Sequence, residues 1–167
     1  MTMEKSRVVF DCMIFLQAVM SEKSITFKLF ELMEENAFTL FVSNETLAEV
    51  KNVLSRPYIR TKNPQITDET VQTFLNRVLS KANLTNKIPK HFRYSRDPKD
   101  EKYINLAVAA EAQYIVSRDN DLLDLMTDFD AESKAFRQKF RRLKVVEPVE
   151  FLRIMAEKDL PLNPLNP

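Results

Sequence analysis

The chain has 167 residues, of which 44% are hydrophobic and 29% charged, and its formal net charge is +1. These values are typical of a single globular domain, and they exclude a protein that is held on nucleic acid by overall positive charge. The single cysteine, Cys12, excludes a disulfide framework, and the absence of glycine excludes the glycine-dependent loops that bind nucleotide phosphates.

The sequence predicts a cytoplasmic protein that is not associated with a membrane. A lone thiol is typical of a reducing compartment. The pattern of a signal peptide is not expected, since the apolar run at residues 8–10 is followed at once by Asp11. Apolar runs elsewhere fall short of the ~18 residues that a membrane helix requires.

Strands and helices alternate in the first half of the chain. β-branched and aromatic residues predict two strands, at residues 7–10 and 39–42. Apolar residues at helical spacing predict three helices, at residues 25–35, 45–54 and 68–82. Thr67 is the expected N-cap of the third helix. Residues 57–64, which begin and end with proline, are expected to form a loop.

The same alternation continues to the end of the chain. Residues 87–97 are polar and basic, and Pro98 fits the first turn of a helix over residues 98–112. Further elements are predicted, namely strands at 114–116 and 143–146 and helices at 122–126 and 148–158. This order predicts a three-layer α/β/α sandwich around a mainly parallel sheet of four or five strands. We expect the domain to span residues 1–158 and a proline-rich tail to follow at 159–167.

Acidic residues lie near the ends of the predicted strands. They are Asp11, Glu49, Asp100, Glu101, Asp119 and Asp121. Because ligands of parallel sheets bind outside the carboxyl ends of the strands, we expect these carboxylates to converge. Converging carboxylates repel one another, and a hard divalent ion such as Mg²⁺ or Mn²⁺ relieves that repulsion. Each acid could instead cap a helix or complement a helix dipole, and spacing alone leaves both interpretations open.

Five segments in order resemble the motifs of the PIN-domain family. They are VVFD at residues 8–11, SNETLAEV at 43–50, RDPKDEKYINLA at 96–107, YIVSRDNDLL at 114–123 and VEPVEFL at 146–152. Their order and spacing resemble the prokaryotic branch of VapC-like toxins, which act in toxin–antitoxin pairs. The resemblance covers about residues 7–155 and implies the family's α/β/α fold.

The resemblance also implies a Mg²⁺- or Mn²⁺-dependent endoribonuclease that cleaves single-stranded or structured RNA. It implies a homodimer, and a small antitoxin protein as a partner. Carried over by position, the four catalytic acids are Asp11, Glu49, Asp100 and Asp119, and all four are expected to be metal ligands. Glu101 is an alternative to Asp100 as the third acid, and Glu101 and Asp121 are further candidate metal ligands.

The chain departs from the family pattern directly after Asp11. The family usually has Thr or Ser and then Asn, where this chain has Cys12 and Met13. This loss leaves a second interpretation open, a catalytically weakened PIN-like module that binds RNA or protein. A haloacid-dehalogenase-like phosphotransferase ranks third, because it needs a second Asp where Met13 stands. We expect Cys12 to be a packing residue, since a reactive thiol needs a nearby base or positive charge and its neighbours are acidic.

Five arginines are candidate RNA-binding residues, namely Arg93, Arg96, Arg118, Arg137 and Arg141. In residues 87–96, basic side chains alternate with Phe92 and Tyr94, a combination that can contact a single-stranded backbone and stack bases. The alternative is a solvated segment whose aromatic rings pack inward. The second basic run, at residues 134–144, is open to three interpretations: an RNA platform, a partner-binding helix or a solvated amphipathic face.

Overall fold

The computed structural model of the chain describes residues 4–158. Five strands in that range form one all-parallel sheet: Ser6–Phe10 (β1), Phe38–Val42 (β2), Asn83–Leu84 (β3), Tyr114–Val116 (β4) and Lys144–Val146 (β5). Their order across the sheet is β3-β2-β1-β4-β5. The carboxyl ends of all five strands therefore lie along the same edge.

The described residues also form nine α-helices: Cys12–Met20 (α1), Ile25–Glu34 (α2), Asn44–Leu54 (α3), Pro57–Lys62 (α4), Asp68–Leu79 (α5), Glu101–Ala109 (α6), Asn120–Leu123 (α7), Ala131–Lys139 (α8) and Pro148–Lys158 (α9). Ser43 and Thr67 cap α3 and α5 through capping boxes. Within residues 4–158, no helix combines the length and the apolar character that crossing a membrane requires. The predicted tail at residues 159–167 lies outside the described residues.

Some elements differ from the sequence prediction. The predicted loop at residues 57–64 is wrong, because Pro57 occupies the first position of α4, where its missing N–H costs nothing. The pattern does not predict α1, whose buried residues are too many for a clear apolar stripe: Ile14, Phe15, Leu16 and Ala18. The strand β3 is also missing from the prediction, because two exposed residues carry no alternating pattern.

The sheet separates two apolar cores. Side chains alternate across β1, so that Val8 and Phe10 face one core while Val9 faces the other. Helices α1 to α5 and α9 contribute to the first core, and α6, α7 and α8 contribute to the second. This arrangement confirms the predicted three-layer α/β/α sandwich, with a sheet that is parallel throughout.

The end of β1 is held firmly by aromatic packing. Phe10 is 2% exposed, and its ring packs edge-on against Phe30 at 5.2 Å and Phe151 at 6.3 Å. Burial of such a ring contributes on the order of 1.5–3 kcal/mol to stability. The position of the next residue, Asp11, is therefore fixed relative to the sheet.

The carboxyl edge of the sheet contains a switch in strand order. β2 lies on one side of β1, and β4 lies on its other side. The Asp11 N–H donates to Val116 O at 3.2 Å, and the Ser117 N–H donates to Val146 O at 3.0 Å. Ligands of parallel α/β sheets bind in the crevice at such a switch point. Asp11 and Ser117, the first residues after β1 and β4, thus border the expected binding crevice.

Candidate metal centre

Asp11 directly follows β1 and caps α1. Its Oδ1 atom accepts the backbone N–H of Met13 at 2.9 Å and that of Ile14 at 3.3 Å, and its Oδ2 atom accepts the Ser117 hydroxyl. Burial raises the pKa of Asp11 to about 6 despite these hydrogen bonds, and the charge of Asp119 adds to the increase. Asp11 therefore has the capping role that the sequence left open, and it also lies within electrostatic range of a second acid.

Ser117 connects the ends of β1 and β4. This fully buried residue donates its hydroxyl to Asp11, and its Oγ atom accepts the Asp119 N–H at 2.9 Å. Asp119 in turn caps α7, because its Oδ1 atom accepts the Asp121 N–H at 2.9 Å. One serine thus fixes the loop that places Asp119 next to Asp11.

Asp97 and Asp100 lie at a turn of 3-10 helix, Pro98–Asp100, that leads into α6. Asp97 caps the turn by accepting the Lys99 N–H at 3.1 Å. Asp100 is 7% exposed, and its Oδ2 atom is buried without a hydrogen-bond partner among the residues that the structure describes. Buried carboxylate oxygens normally have a partner, so this atom marks a place for a ligand that the described chain does not supply.

Four aspartates meet at this place and are called here the acidic cluster: Asp97, Asp100, Asp119 and Asp121. One oxygen atom from each lies within 4.8 Å of the others. Burial raises the pKa of Asp100, and the negative charges of Asp119, Asp97 and Asp11 raise it further. A hard divalent ion takes oxygen ligands and relieves this repulsion. The residues of the acidic cluster therefore fit Mg²⁺ or Mn²⁺.

Glu49 projects from α3 and is engaged by other side chains. Its Oε2 atom forms an ion pair with Lys102, and its Oε1 atom accepts the Tyr103 hydroxyl at 2.9 Å. Burial acts to raise the pKa of Glu49, but hydrogen bonds from Lys102, Cys12 and Tyr103 outweigh burial and lower it. Glu49 is therefore ionised and paired, and it lies outside the acidic cluster.

The thiol of Cys12 belongs to the surroundings of Glu49. Burial raises the pKa of Cys12 to about 12, and the hydrogen bond and charge of Glu49 add to the increase. A thiol with this pKa remains protonated at neutral pH and is a poor nucleophile. Cys12 is half-buried and packs against both cores, consistent with the packing role expected from the sequence.

Glu101, the alternative third acid, is used elsewhere. Its Oε1 atom accepts the Tyr94 N–H at 2.8 Å, which anchors the preceding segment on α6. Asp100, one residue earlier, carries the buried oxygen that has no partner in the described part of the chain. The geometry favours Asp100 over Glu101, and the metal-ligand roles given to both from the sequence stay predictions, as do those of Asp11, Glu49, Asp119 and Asp121.

Arg96 is ion-paired at the border of the acidic cluster. Its guanidinium contacts Asp121 and Asp124 at 2.7 Å each and Asp128 at 3.2 Å, and this set of four residues is called here the Arg96 network. Tyr94, which is 1% exposed, donates its hydroxyl to the backbone carbonyl of Asp121. These contacts fasten the segment before the 3-10 turn to α7, so that Asp97 and Asp100 meet Asp119 and Asp121.

Arg137 also makes internal contacts, and the two basic runs pack against each other. The Arg137 guanidinium donates to Leu125 O at 2.6 Å and to Asp128 O at 2.7 Å. Phe92 of the first run packs edge-on against the buried Phe136 of α8, with ring centroids 5.5 Å apart. Phe92 is half-buried, Tyr94 is buried, and both pack inward, which was one of the two interpretations open for the first run.

The other three candidate RNA-binding residues, Arg93, Arg118 and Arg141, are exposed, and within residues 4–158 they have no ion-pair partner. Arg118 is the neighbour of Asp119. Arg141 lines a groove of about 750 Å³ at the amino ends of β1 and β4, on the edge of the sheet opposite the acidic cluster. RNA binding by all five arginines stays a prediction.

Several residues at the site were not assigned a role from the sequence. Ser117 follows β4 directly, the position that Asp11 occupies after β1, and this parallel is the signal that points to it. For Asp97 the signal is its position directly before Pro98, where it caps the turn. Lys102 and Tyr103 lie within the quoted motif, but their contact with Glu49, more than 50 positions away in sequence, requires the fold.

Comparisons with known proteins identify the family to which the chain belongs. The family model described as PIN domain matches residues 7–121, which contain the acidic cluster and four of the five strands. An uncharacterized protein of Methanocaldococcus jannaschii is 26% identical to the chain over 148 residues, which cover 89% of this chain and 90% of that protein. PIN domains have a metal-dependent nuclease fold, and a carboxylate cluster that fits such a metal lies at the switch point. The chain therefore belongs to the PIN-domain family.

Proposed function

We propose that the chain is a Mg²⁺- or Mn²⁺-dependent endoribonuclease that hydrolyses phosphodiester bonds of RNA at the acidic cluster. The observation that carries the proposal is the buried Oδ2 atom of Asp100, which has no hydrogen-bond partner within residues 4–158 and lies among three further aspartates. We assign Asp100 and Asp119 as metal ligands, with Asp97 and Asp121 completing the oxygen set. Asp11 adds negative charge next to Asp119 and is the fifth acid of the site.

A bound divalent ion would supply the acidity that activates water and stabilises the leaving oxygen in phosphodiester hydrolysis. The chain's own residues hold that site in place. Ser117 fixes Asp11 relative to Asp119, and Arg96 fixes the segment of Asp97 relative to Asp121. The exposed Arg118, next to Asp119, is the arginine best placed to contact a phosphate of the substrate.

The proposal is tested with the purified chain, Mn²⁺ and a labelled single-stranded RNA, beside a DNA of the same sequence. We expect cleavage of RNA that requires Mn²⁺ and falls by roughly 100-fold or more in Asp119→Asn, because loss of a direct ligand exceeds the ~10–100-fold typical of outer partners. Asp68→Asn is the matched control, since Asp68 is exposed on α5. Absence of Mn²⁺-dependent cleavage in the wild type, or equal cleavage by Asp119→Asn, would reject the proposal.

A second candidate function, a weakened module that binds RNA or protein, is favoured by the state of Glu49. Its carboxylate is already paired with Lys102 and Tyr103, as expected if one acid of the site has lost its metal. Calorimetric titration with Mn²⁺ separates the two functions. Binding that is lost in Asp119→Asn, together with cleavage, supports the enzyme, whereas absence of both supports the module.

The finer family properties stay predictions for this chain. We propose RNA as the substrate, a homodimer as the assembly, a cytoplasmic location, and a toxin role with a small antitoxin as partner. Light scattering on the purified chain tests the dimer. Growth arrest on expression, relieved by Asp119→Asn, tests the toxin role.

A further inference from the structure

Two donors from α6 contact the carboxylate of Glu49, one on each oxygen. Lys102 of α6 pairs with Oε2, and the Tyr103 hydroxyl, also from α6, donates to Oε1 at 2.9 Å. The Tyr103 oxygen in turn accepts the Cys12 N–H, at the start of α1, at 3.2 Å. Glu49 therefore links α3 with α6, and through Tyr103 with α1, and its charge is neutralised by an ammonium group.

Two contacts hold the Lys102 side chain in place. It lies in the first turn of α6, two residues after Asp100, and its side chain is 13% exposed. Its Nζ atom contacts Glu49 and also donates to Lys99 O at 2.6 Å. An ammonium group has three N–H donors, and the contacts among residues 4–158 account for two of them. One donor thus remains for a ligand.

The negative charge of the site indicates what the remaining N–H donor of Lys102 can bind. Four aspartates of the acidic cluster and Asp11 carry five negative charges when ionised, so one divalent ion and the guanidinium of Arg96, which pairs with Asp121, leave part of that charge uncompensated. An RNA phosphate adds a further negative charge. The guanidinium of Arg96 is committed to the Arg96 network, and Arg118 is exposed without an anchoring ion pair in the described chain. Lys102 is cationic and fixed, as preorganised stabilisation of a charged phosphate requires.

We propose that Lys102 contacts the scissile phosphate in place of a second metal ion, and that Glu49, which with Asp11 lies near Cys12, is a positioning residue that holds the Lys102 ammonium. The inference rests on the proposed metal-dependent nuclease function. It assigns one divalent ion to the acidic cluster and no metal to Glu49, which differs from the role given to Glu49 by position in the family motif.

Calorimetric titration with Mn²⁺ tests the assignment without using activity. The wild-type chain is expected to bind one Mn²⁺, and Glu49→Gln is expected to retain its Mn²⁺ affinity within about fivefold, because an outer residue perturbs a metal site less than a ligand does. A larger loss in Glu49→Gln would overturn the proposal, since it would identify Glu49 as a ligand. Asp119→Asn must lose binding in the same assay. If it does not, the proposed metal site itself fails.

RNA cleavage at saturating Mn²⁺ tests the role of Lys102. Lys102→Met is expected to lower kcat/KM by about 30-fold, and Lys102→Arg is expected to recover it to within about fivefold, because the guanidinium keeps the charge at the phosphate. Lys51→Met, on the exposed face of α3, is the matched control and is expected to cleave like the wild type. Equal activity of Lys102→Met and Lys51→Met would overturn the proposal, even where Asp119→Asn has confirmed the metal site.

Discussion

The acidic cluster and the Arg96 network use the same residue type in opposite ways. In the network, Asp121, Asp124 and Asp128 each pair with the same guanidinium at 2.7–3.2 Å, which compensates part of their negative charge. In the cluster, Asp100 is buried beside other carboxylates and one of its oxygens has no partner among the described residues. Asp121 belongs to both. Aspartates that pair with an arginine stabilise the fold. Buried aspartates that lie next to one another repel, and a bound metal ion relieves that repulsion.

Asp100→Asn, in the acidic cluster, should change Mn²⁺ affinity and stability more than any substitution in the Arg96 network. The substitution removes a proposed ligand, so we expect Mn²⁺ affinity to fall by roughly 100-fold or more. We also expect the metal-free chain to become more stable, because a repelled, buried charge is lost. Calorimetry and urea unfolding measure the two effects.

Asp124→Asn is the control within the Arg96 network. The substitution removes the negative charge that pairs with Arg96, so we expect the free energy of unfolding to fall and the Mn²⁺ affinity to stay unchanged. Equal losses of Mn²⁺ affinity in Asp100→Asn and Asp124→Asn would contradict the division between the two regions.

The pH dependence of stability sharpens the same contrast. Asp11 and Asp100 have raised pKa values in the folded chain, so the folded state binds more protons than the unfolded state above about pH 4. The metal-free protein should therefore lose stability as pH rises from about 4 to 8. For Asp11, the change from 3.8 to about 6 corresponds to roughly 3 kcal/mol.

Urea unfolding in the presence of a chelator, repeated across this pH range, measures that slope. Saturating Mn²⁺ should abolish the dependence of stability on pH. Mn²⁺ binding should also release protons, and calorimetry in buffers of different ionisation enthalpy measures that release. The slope should be smaller in Asp100→Asn. An unchanged slope in this variant would show that the acidic cluster is not its source.

A smaller effect is expected from Arg96→Ala. Its ion pairs join segments 25–32 residues apart, whereas Arg153 pairs with Glu150 and Glu157 within one helix. The side chain of Arg96 is 38% exposed, so solvent screens these pairs. We expect the thermal midpoint of the metal-free chain to fall by a few degrees in Arg96→Ala and by less in Arg153→Ala. Equal shifts for the two variants would remove the structural role given to the Arg96 network.

The smallest effect is expected at Glu111, outside both regions. Its φ of 52° lies in the left-handed region, which costs a residue with a Cβ atom roughly 1–2 kcal/mol. Glycine avoids that strain but loses more chain entropy on folding, so we expect Glu111→Gly to stabilise the chain by about 0.5–1 kcal/mol. Mn²⁺ affinity should not change. A destabilised variant in urea unfolding would show that the Glu111 side chain contributes more than its backbone costs.

The fold could be predicted where patterns are local. Alternating strands and helices predict the layers, and Pro98 predicts the start of the turn that carries Asp100. Partners brought together by the fold could not be predicted. The pairing of Glu49 with Lys102, of Arg96 with three aspartates, and of Ser117 with Asp11 joins residues 25 to 106 positions apart. The sequence therefore predicts which acids approach the crevice, but not which of them are already neutralised.

Anomalous X-ray diffraction from crystals grown with Mn²⁺ tests the central claim most directly. We expect a Mn²⁺ ion in contact with carboxylate oxygens of Asp100 and Asp119, at distances of roughly 2.0–2.3 Å, with Glu49 still paired to Lys102. A Mn²⁺ ion bound by Glu49, or an acidic cluster without Mn²⁺ at concentrations that saturate cleavage, would contradict it.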